Sequence, residues 1–283
     1  MDDFLEYGRF KNELGVKAFL DISEKAEQIS VEAIGSNLSV QLSDSGMIFN
    51  NLLYLAGKTS WSVRFLATSG LMLQAYMLLR IRFEQTLVSS YLVHEDREKG
   101  FIPFLKHNPS NEYHFAKSAK EDPRLNEFFS DFLDKEIDGL KKKAVEFEKH
   151  FNPDFNEDGF EPHWKWTNKS IFKIAEKRDE LTEELNQISS FPLLVYYRVV
   201  YKAASSLVHA DRTSISKNFI TVSDESNHLV DQPIYLLLST LYNAHLDIIQ
   251  NYEVLKFLGI DKTEDYLSLY EDYQKEIRKA WDL

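Results

Sequence analysis

The residues best suited to chemistry lie on two segments with helical periodicity, and the first carries a charged pair. Arg80, Glu84 and Tyr91 lie in a leucine-rich segment. At 100° per residue, Glu84 lies about 40° and Tyr91 about 20° around a helix from Arg80, so the three share one face. An arginine held by a carboxylate can bind a phosphate, or it can order a core as a buried ion pair. The sequence leaves both interpretations open.

The second segment carries Arg198, Tyr201, Ser205 and His209, which advance in steps of three, four and four residues. On a helix they fall within about 80° of one another. Histidine titrates near neutral pH, so His209 is the candidate general acid–base, with Arg80 and Glu84 as its catalytic partners. The other interpretation of His209 is a core histidine bonded to Glu84. The substrate-binding candidates are Arg82, Tyr91, Arg198, Tyr201 and Ser205.

Metal and cofactor chemistry has little support in the sequence. There is no cysteine, and the eight histidines do not form a His-Glu-x-x-His motif. Gly-rich phosphate-binding patterns are also missing. We therefore predict no metal site and no cofactor.

The composition indicates an all-α fold, because glycine (10) and proline (7) are scarce and helical periodicity dominates. We expect a helical bundle with a charged helical insertion. Residues 1–59 form a predicted N-terminal helical segment. Residues 60–94 and 163–283 form the helical core domain. Residues 95–162, rich in charge and proline, form the insertion or a lid-like subdomain.

Several helix ends can be predicted from local signals. A long helix is expected from about Ser60 to His94, with the apolar stretch 65–79 as its buried part. Asp122 followed by Pro123 is typical of a helix start. Gly259 is expected to end a helix that begins near Pro233.

The charge and hydropathy patterns bear on location and partners. The net charge is -12, which disfavours broad binding to phosphate backbones but leaves a small local basic site open. The acidic N-terminus does not resemble a signal peptide, and the apolar stretch 65–79 is shorter than the roughly 18–20 residues that span a bilayer. We expect a cytoplasmic protein that does not enter a membrane.

Three spaced motifs resemble a known family. They are Arg80-x3-Glu84-x6-Tyr91-Leu92, then Trp166-Thr-Asn-Lys-Ser170, then Tyr201-x3-Ser205-x3-His209. In this order they resemble the uncharacterised bacterial family called domain of unknown function 5677, whose members are thought to be distant relatives of HEPN helical domains. The resemblance implies a HEPN-like core, a role in bacterial defence, stress response or toxin–antitoxin systems, and metal-independent cleavage of RNA.

The chain departs from the usual HEPN signature, in which an arginine precedes a histidine by four to six residues. Arg198 precedes His209 by eleven residues, so a cleavage site would take its arginine from another helix, such as Arg80 or Arg82. The sequence is therefore compatible with two functions. One is an effector that acts on RNA or a nucleotide. The other is a non-enzymatic module that binds a protein or a small ligand, as a regulator or antitoxin would. The resemblance also leaves a homodimer open.

Overall fold

The fold is an all-α helical bundle in the computed structural model, which describes residues 15–37, 43–151, 155, 169–208 and 231–280. Every regular element in these ranges is helical. The bounds of the helices are α1 (Val16–Gly35), α2 (Asp44–Thr68), α3 (Met72–His94), α4 (Phe101–Lys106), α5 (Asn108–Glu121), α6 (Pro123–Phe151), α7 (Ile171–Thr182), α8 (Leu193–Tyr196), a π-helical turn (Tyr197–Tyr201), α9 (Lys202–Val208), α10 (Asp231–Phe257) and α11 (Thr263–Ala280).

The chain divides into two compact units. The core unit comprises Met1–His94 and Ile171–Leu283, and it contains α1 to α3 and α7 to α11. The middle unit is Glu95–Ser170, and it contains α4 to α6. Within the middle unit, α5 and α6 pack against each other around a small apolar cluster of Ala116, Ala119 and Leu133.

Helix α10 is the centre of the core unit. It packs against α1, α2, α3 and α11, and its residues from Leu236 to Leu255 are almost all buried. A helix surrounded on all sides is usually apolar all round. This one carries polar side chains on several faces, and most of them bond to a neighbouring element, since an unpaired buried polar group is costly. The polar side chains in question are Asn243, His245, Asp247, Gln250, Asn251 and Glu253.

The long helix predicted from Ser60 to His94 is wrong. Helix α2 already begins at Asp44, where the Ser43 hydroxyl accepts a hydrogen bond from the Gly46 amide at 2.9 Å. It ends before Gly70, whose φ of 80° is a left-handed conformation that favours glycine. The break falls inside the apolar stretch 65–79, so this stretch is not one buried helix, and Phe65 is exposed.

Two other predicted helix ends are confirmed. Asp122 Oδ1 accepts a hydrogen bond from the Arg124 amide at 2.9 Å at the start of α6. Gly259 has a φ of 74° just beyond α10, and the Ile260 amide donates to the Leu255 carbonyl at 2.9 Å. Among the described helices, none has an apolar run long enough to cross a bilayer.

Candidate functional site

The structure brings three of the predicted site residues together, and we call them the Arg80 cluster. Arg80 Nε donates to Glu84 Oε1 at 3.4 Å, and Arg80 Nη2 donates to the Tyr201 hydroxyl at 3.4 Å. The guanidinium also lies 5.0 Å from the centre of the Tyr201 ring. The Arg80 and Glu84 side chains are 24% and 37% exposed, so this ion pair faces solvent. Burial and the Glu84 carboxylate raise the pKa of Tyr201.

A π-helical turn, Tyr197–Tyr201, places Tyr201 in this cluster. The wider turn changes the helical hydrogen bonding, and the Val199 carbonyl accepts a hydrogen bond from the Tyr76 hydroxyl at 3.0 Å. The Tyr197 and Tyr201 rings stack at 5.2 Å. Turns of this kind are rare and occur frequently at functional sites.

The other predicted site residues lie in different surroundings. Tyr91 is fully buried, Arg198 is exposed, and Ser205 is half-buried. Arg82 is 1% exposed and points away from the Arg80 cluster, toward α10. His209 lies outside the described residues, as does Trp166 of the second motif.

Arg82 belongs to a buried polar network centred on Asp247 of α10. Arg82 Nη2 donates to Asp247 Oδ1 at 2.8 Å, and Arg82 Nη1 donates to Gln250 Oε1 and to Thr86 Oγ1. The Ser60 hydroxyl donates to Asp247 Oδ2 at 2.7 Å. The Asp247 network therefore ties α10 to α2 and α3 at once. Its ion pair is satisfied by further hydrogen bonds, as a buried pair must be to be tolerated.

A second ion pair, between Arg64 of α2 and Glu27 of α1, borders this network. Arg64 Nη2 donates to Glu27 Oε2 at 2.7 Å, and Arg64 Nη1 donates to the hydroxyls of Ser23 and Ser60. Glu27 Oε1 is buried and has no hydrogen-bond partner among the described residues. Burial raises the pKa of Glu27 despite the hydrogen bond from Arg64.

A cavity of about 720 Å³ opens between α1 and α2, above the Asp247 network. Both helices pack on α10 but contact each other little, so a gap remains between them. The charged residues of its lining are Glu27, Lys58, Arg82 and Asp247. The apolar part of the wall is Val31, Ile34, Leu53, Tyr54, Ala56 and Trp61. Ligand sites in proteins are typically about 300–1,000 Å³, mainly apolar, and contain a few fixed polar groups.

A third group of buried charges lies further along α10. Arg178 of α7 donates to Glu253 Oε1 at 2.7 Å, to Ser90 and to the Phe191 carbonyl. Burial would raise the pKa of Glu253, but the Arg178 guanidinium overcomes this and lowers it to about 2. Every Arg178 nitrogen thus has a partner, which indicates a structural anchor for α7.

Metal ligation finds no support in the part of the chain that the structure describes. No group of three or more histidine, aspartate and glutamate side chains is arranged to hold an ion there. His245 is buried among aromatic rings, and its Nδ1 lies 2.6 Å from the Tyr196 hydroxyl. Burial and the Arg178 charge lower its pKa to about 3.

These features define an all-α protein with a ligand-sized cavity beside a buried ionic network. The family model of DUF5677, a family of unknown function, matches residues 47–228, so the chain belongs to this family. The resemblance of the three motifs to this family is thereby confirmed. No curated protein and no solved structure matches the chain.

Of the residues that line the cavity, only Arg82 is a site candidate predicted from the sequence. The missed signal is on α10, where Asn243, Asp247 and Gln250 follow one another at helical spacing in an apolar segment. A polar row of this kind needs polar partners, as the row on the second segment does. Glu27 carries no comparable signal, because it lies among other charged residues of α1.

Proposed function

We propose that this protein is a non-enzymatic helical binding module whose cavity between α1 and α2 takes a small, largely apolar molecule. The observation that carries the proposal is the cavity itself, with apolar walls over the buried Arg82–Asp247 pair. The polar groups at its base are held by hydrogen bonds from α2 and α3, so they are already ordered before a ligand arrives. Preorganised groups reduce the entropic cost of binding.

The exposed aromatic residues at the cavity support the same proposal. Tyr54 and Trp61 line the cavity and are 60% and 58% exposed, and Val31 across from them is 70% exposed. Apolar surface that a ligand covers contributes roughly 25 cal/mol per Å² to binding. A ligand that bridges α1 and α2 would therefore remove an apolar surface from water and join two helices that touch little.

A fluorescence titration with N-phenyl-1-naphthylamine, an apolar dye that brightens in apolar surroundings, tests this proposal. Gly57 lines the cavity, and Gly57→Leu would place a large side chain inside it. The matched control is Gly139→Leu on α6, where a Cβ would meet no atom within 4 Å. We expect saturable binding by the wild type and by Gly139→Leu, and binding weakened about 10-fold or more by Gly57→Leu, because filled volume excludes the dye. Equal binding by both variants would remove the cavity as the site.

The second candidate function uses the Arg80 cluster. Under this proposal, the protein is a bacterial defence or stress-response effector with a HEPN-like core, and it cleaves cytoplasmic RNA without a metal. The supporting observation is that Arg80 is partly exposed and oriented by Glu84 and Tyr201, as a phosphate-binding arginine requires. His209 follows the last residue of α9 and would supply the general acid–base.

Cleavage of a mixed RNA pool in EDTA tests the second candidate. We expect loss of cleavage in Arg80→Ala and in His209→Ala, and unchanged cleavage in Arg124→Ala, whose side chain is 89% exposed in the middle unit. Circular dichroism and melting curves would show that each variant is folded. RNA cleavage that persists in both site variants would contradict this candidate, and it would leave the cavity proposal untouched.

A further inference from the structure

We infer that the ligand of the cavity is an uncharged, largely apolar molecule that donates one N–H or O–H hydrogen bond to Glu27 Oε1. The inference rests on the proposed binding function and adds the chemistry of the ligand. The observation behind it is that the two oxygens of the Glu27 carboxylate have different surroundings. Oε2 accepts a hydrogen bond from Arg64 Nη2 at 2.7 Å, whereas Oε1 is buried and has no partner among the described residues.

An unpaired carboxylate oxygen in a buried place is an unmet acceptor. Nine in ten or more buried polar groups in proteins have a partner, and hydrogen bonds to charged groups are the stronger class. Burial acts against the charge of Glu27, and it raises the pKa of this carboxyl group even though Arg64 is adjacent. A donor from a ligand would satisfy Oε1 and favour the charged form.

The position of Gly57 leaves room beside the free oxygen. Gly57 lies on α2, lines the cavity, and a Cβ built on it would lie 3.8 Å from Glu27 Oε1. Apart from the two neighbouring residues and the backbone of α2, no other atom lies within 4 Å of that Cβ position, so no side chain from another part of the fold fills the space beside Oε1. A ligand beside Gly57 would therefore lie next to Oε1, and a small rotation of the Glu27 side chain, which is 21% exposed, would turn this oxygen toward a donor on the ligand.

The charges around the cavity select a neutral donor. Glu27 is paired with Arg64, and Asp247 is paired with Arg82, so the two acidic side chains of the lining are already neutralised. A cationic ligand at Oε1 would lie beside the Arg64 guanidinium that holds the same carboxylate, and like charges repel at this range. An anionic ligand at Oε1 would meet the Glu27 carboxylate itself, and Lys58, the other cation of the lining besides Arg82, lies over the Tyr54 ring rather than at Oε1.

A pair of dyes that differ by one methyl group on the nitrogen tests the inference, with Glu27→Gln as the control for the volume of that group. N-phenyl-1-naphthylamine has one N–H, and its N-methyl analogue has none. The N–H dye can donate a hydrogen bond to the charged Glu27 carboxylate, and the N-methyl dye cannot. We therefore expect the wild type to prefer the N–H dye by about 10-fold or more. Glu27→Gln would turn its carbonyl oxygen toward Arg64 and its amide N–H toward the cavity, so the preference should disappear.

Gly57→Ala provides a second variant that leaves the Glu27–Arg64 pair in place. Its methyl group would cover part of the space before Oε1, so we expect the preference for the N–H dye to fall while the N-methyl dye still binds. Equal binding of both dyes by the wild type, still abolished by Gly57→Leu, would overturn the donor inference and keep the cavity as the site. Dye binding insensitive to Gly57→Leu would overturn the proposed function instead.

Discussion

At the scale of single residues, Arg80 and Arg82 show how two nearby arginines acquire different roles. They are two residues apart on α3, which turns them about 200° from each other. Arg80 is 24% exposed and paired with a half-exposed glutamate, whereas Arg82 and its partner Asp247 are each 1% exposed. Exposed pairs contribute little to stability because water screens them, and buried pairs leave a costly charge behind when one partner is removed.

Matched substitutions should therefore have unequal effects. Methionine keeps much of the length of arginine and removes its charge. We expect Arg82→Met to lower the free energy of unfolding by about 3–5 kcal/mol, because Asp247 would remain buried without its guanidinium. Arg80→Met should cost at most about 1 kcal/mol. Urea denaturation followed by circular dichroism measures both, and similar losses in the two variants would contradict the buried role of Arg82.

The sequence predicts only part of this arrangement. Helical spacing correctly places Arg80 and Glu84 side by side, and the polar row on the second segment brings Tyr201 to them. Spacing within one helix cannot identify the partner of Arg82, because Asp247 is 165 residues away. The partner depends on which face of α10 packs against α3, and that is decided by the packing of the whole core.

His245 makes stability depend on pH. Burial, followed by the Arg178 charge, lowers its pKa to about 3 from an unfolded value near 6.5. Between these values the unfolded chain binds a proton that the folded chain does not, so stability falls as the pH falls from about 6.5 to about 3. We expect His245 to contribute on the order of 4 kcal/mol to this loss.

The variant that isolates this effect is His245→Asn, whose amide oxygen can still accept the hydrogen bond from Tyr196. Urea denaturation at several pH values should show a shallower decline for this variant between pH 6.5 and 3 than for the wild type. Parallel curves for the two proteins would mean that other groups, such as the carboxylates, cause the acid sensitivity.

At the scale of helices, the break at Gly70 separates α2, which carries Arg64, from α3, which carries Arg80 and Arg82. Gly70 adopts a φ of 80° there, and the Leu71 amide donates to the Leu66 carbonyl at 2.9 Å. The apolar residues of this region recur at helical spacing on both sides of Gly70, which is why the sequence predicts one long helix. A single glycine after a serine is a weak signal, since isolated glycines also occur inside helices, as Gly57 does.

Two glycine-to-alanine substitutions should have opposite effects on these helices. Gly70→Ala forces a side chain into the left-handed region and should cost about 1–2 kcal/mol. Gly57→Ala lies inside α2, meets no atom closer than 3.8 Å, and should add about 0.5–1 kcal/mol, because alanine is the better helix former. Thermal melting of the two variants against the wild type measures the difference. A gain in stability from Gly70→Ala would contradict the left-handed break.

At the scale of the whole molecule, the two units differ in the cores that support them. In the core unit, α10 is surrounded by four helices and is buried along most of its length. In the middle unit, α5 and α6 pack mainly on each other, around a cluster of Ala116, Ala119 and Leu133, and Tyr113 and Phe147 are also buried. A helix that packs mainly on one neighbour buries less apolar surface than a helix that packs on four, so the middle unit should have the smaller free energy of opening.

Hydrogen exchange of the full chain, followed by mass spectrometry, tests this difference. We expect amides of α10 to exchange only on global unfolding, and amides of α5 and α6 to exchange at least about 10-fold faster through local opening. The same measurement with saturating N-phenyl-1-naphthylamine adds a second expectation, because a ligand stabilises the state that binds it. Protection should increase in α1 and α2 on dye binding, and exchange in α5 and α6 should stay unchanged. Equal protection of both units without dye would contradict the difference in their cores, and a dye effect confined to α5 and α6 would locate the binding site in the middle unit.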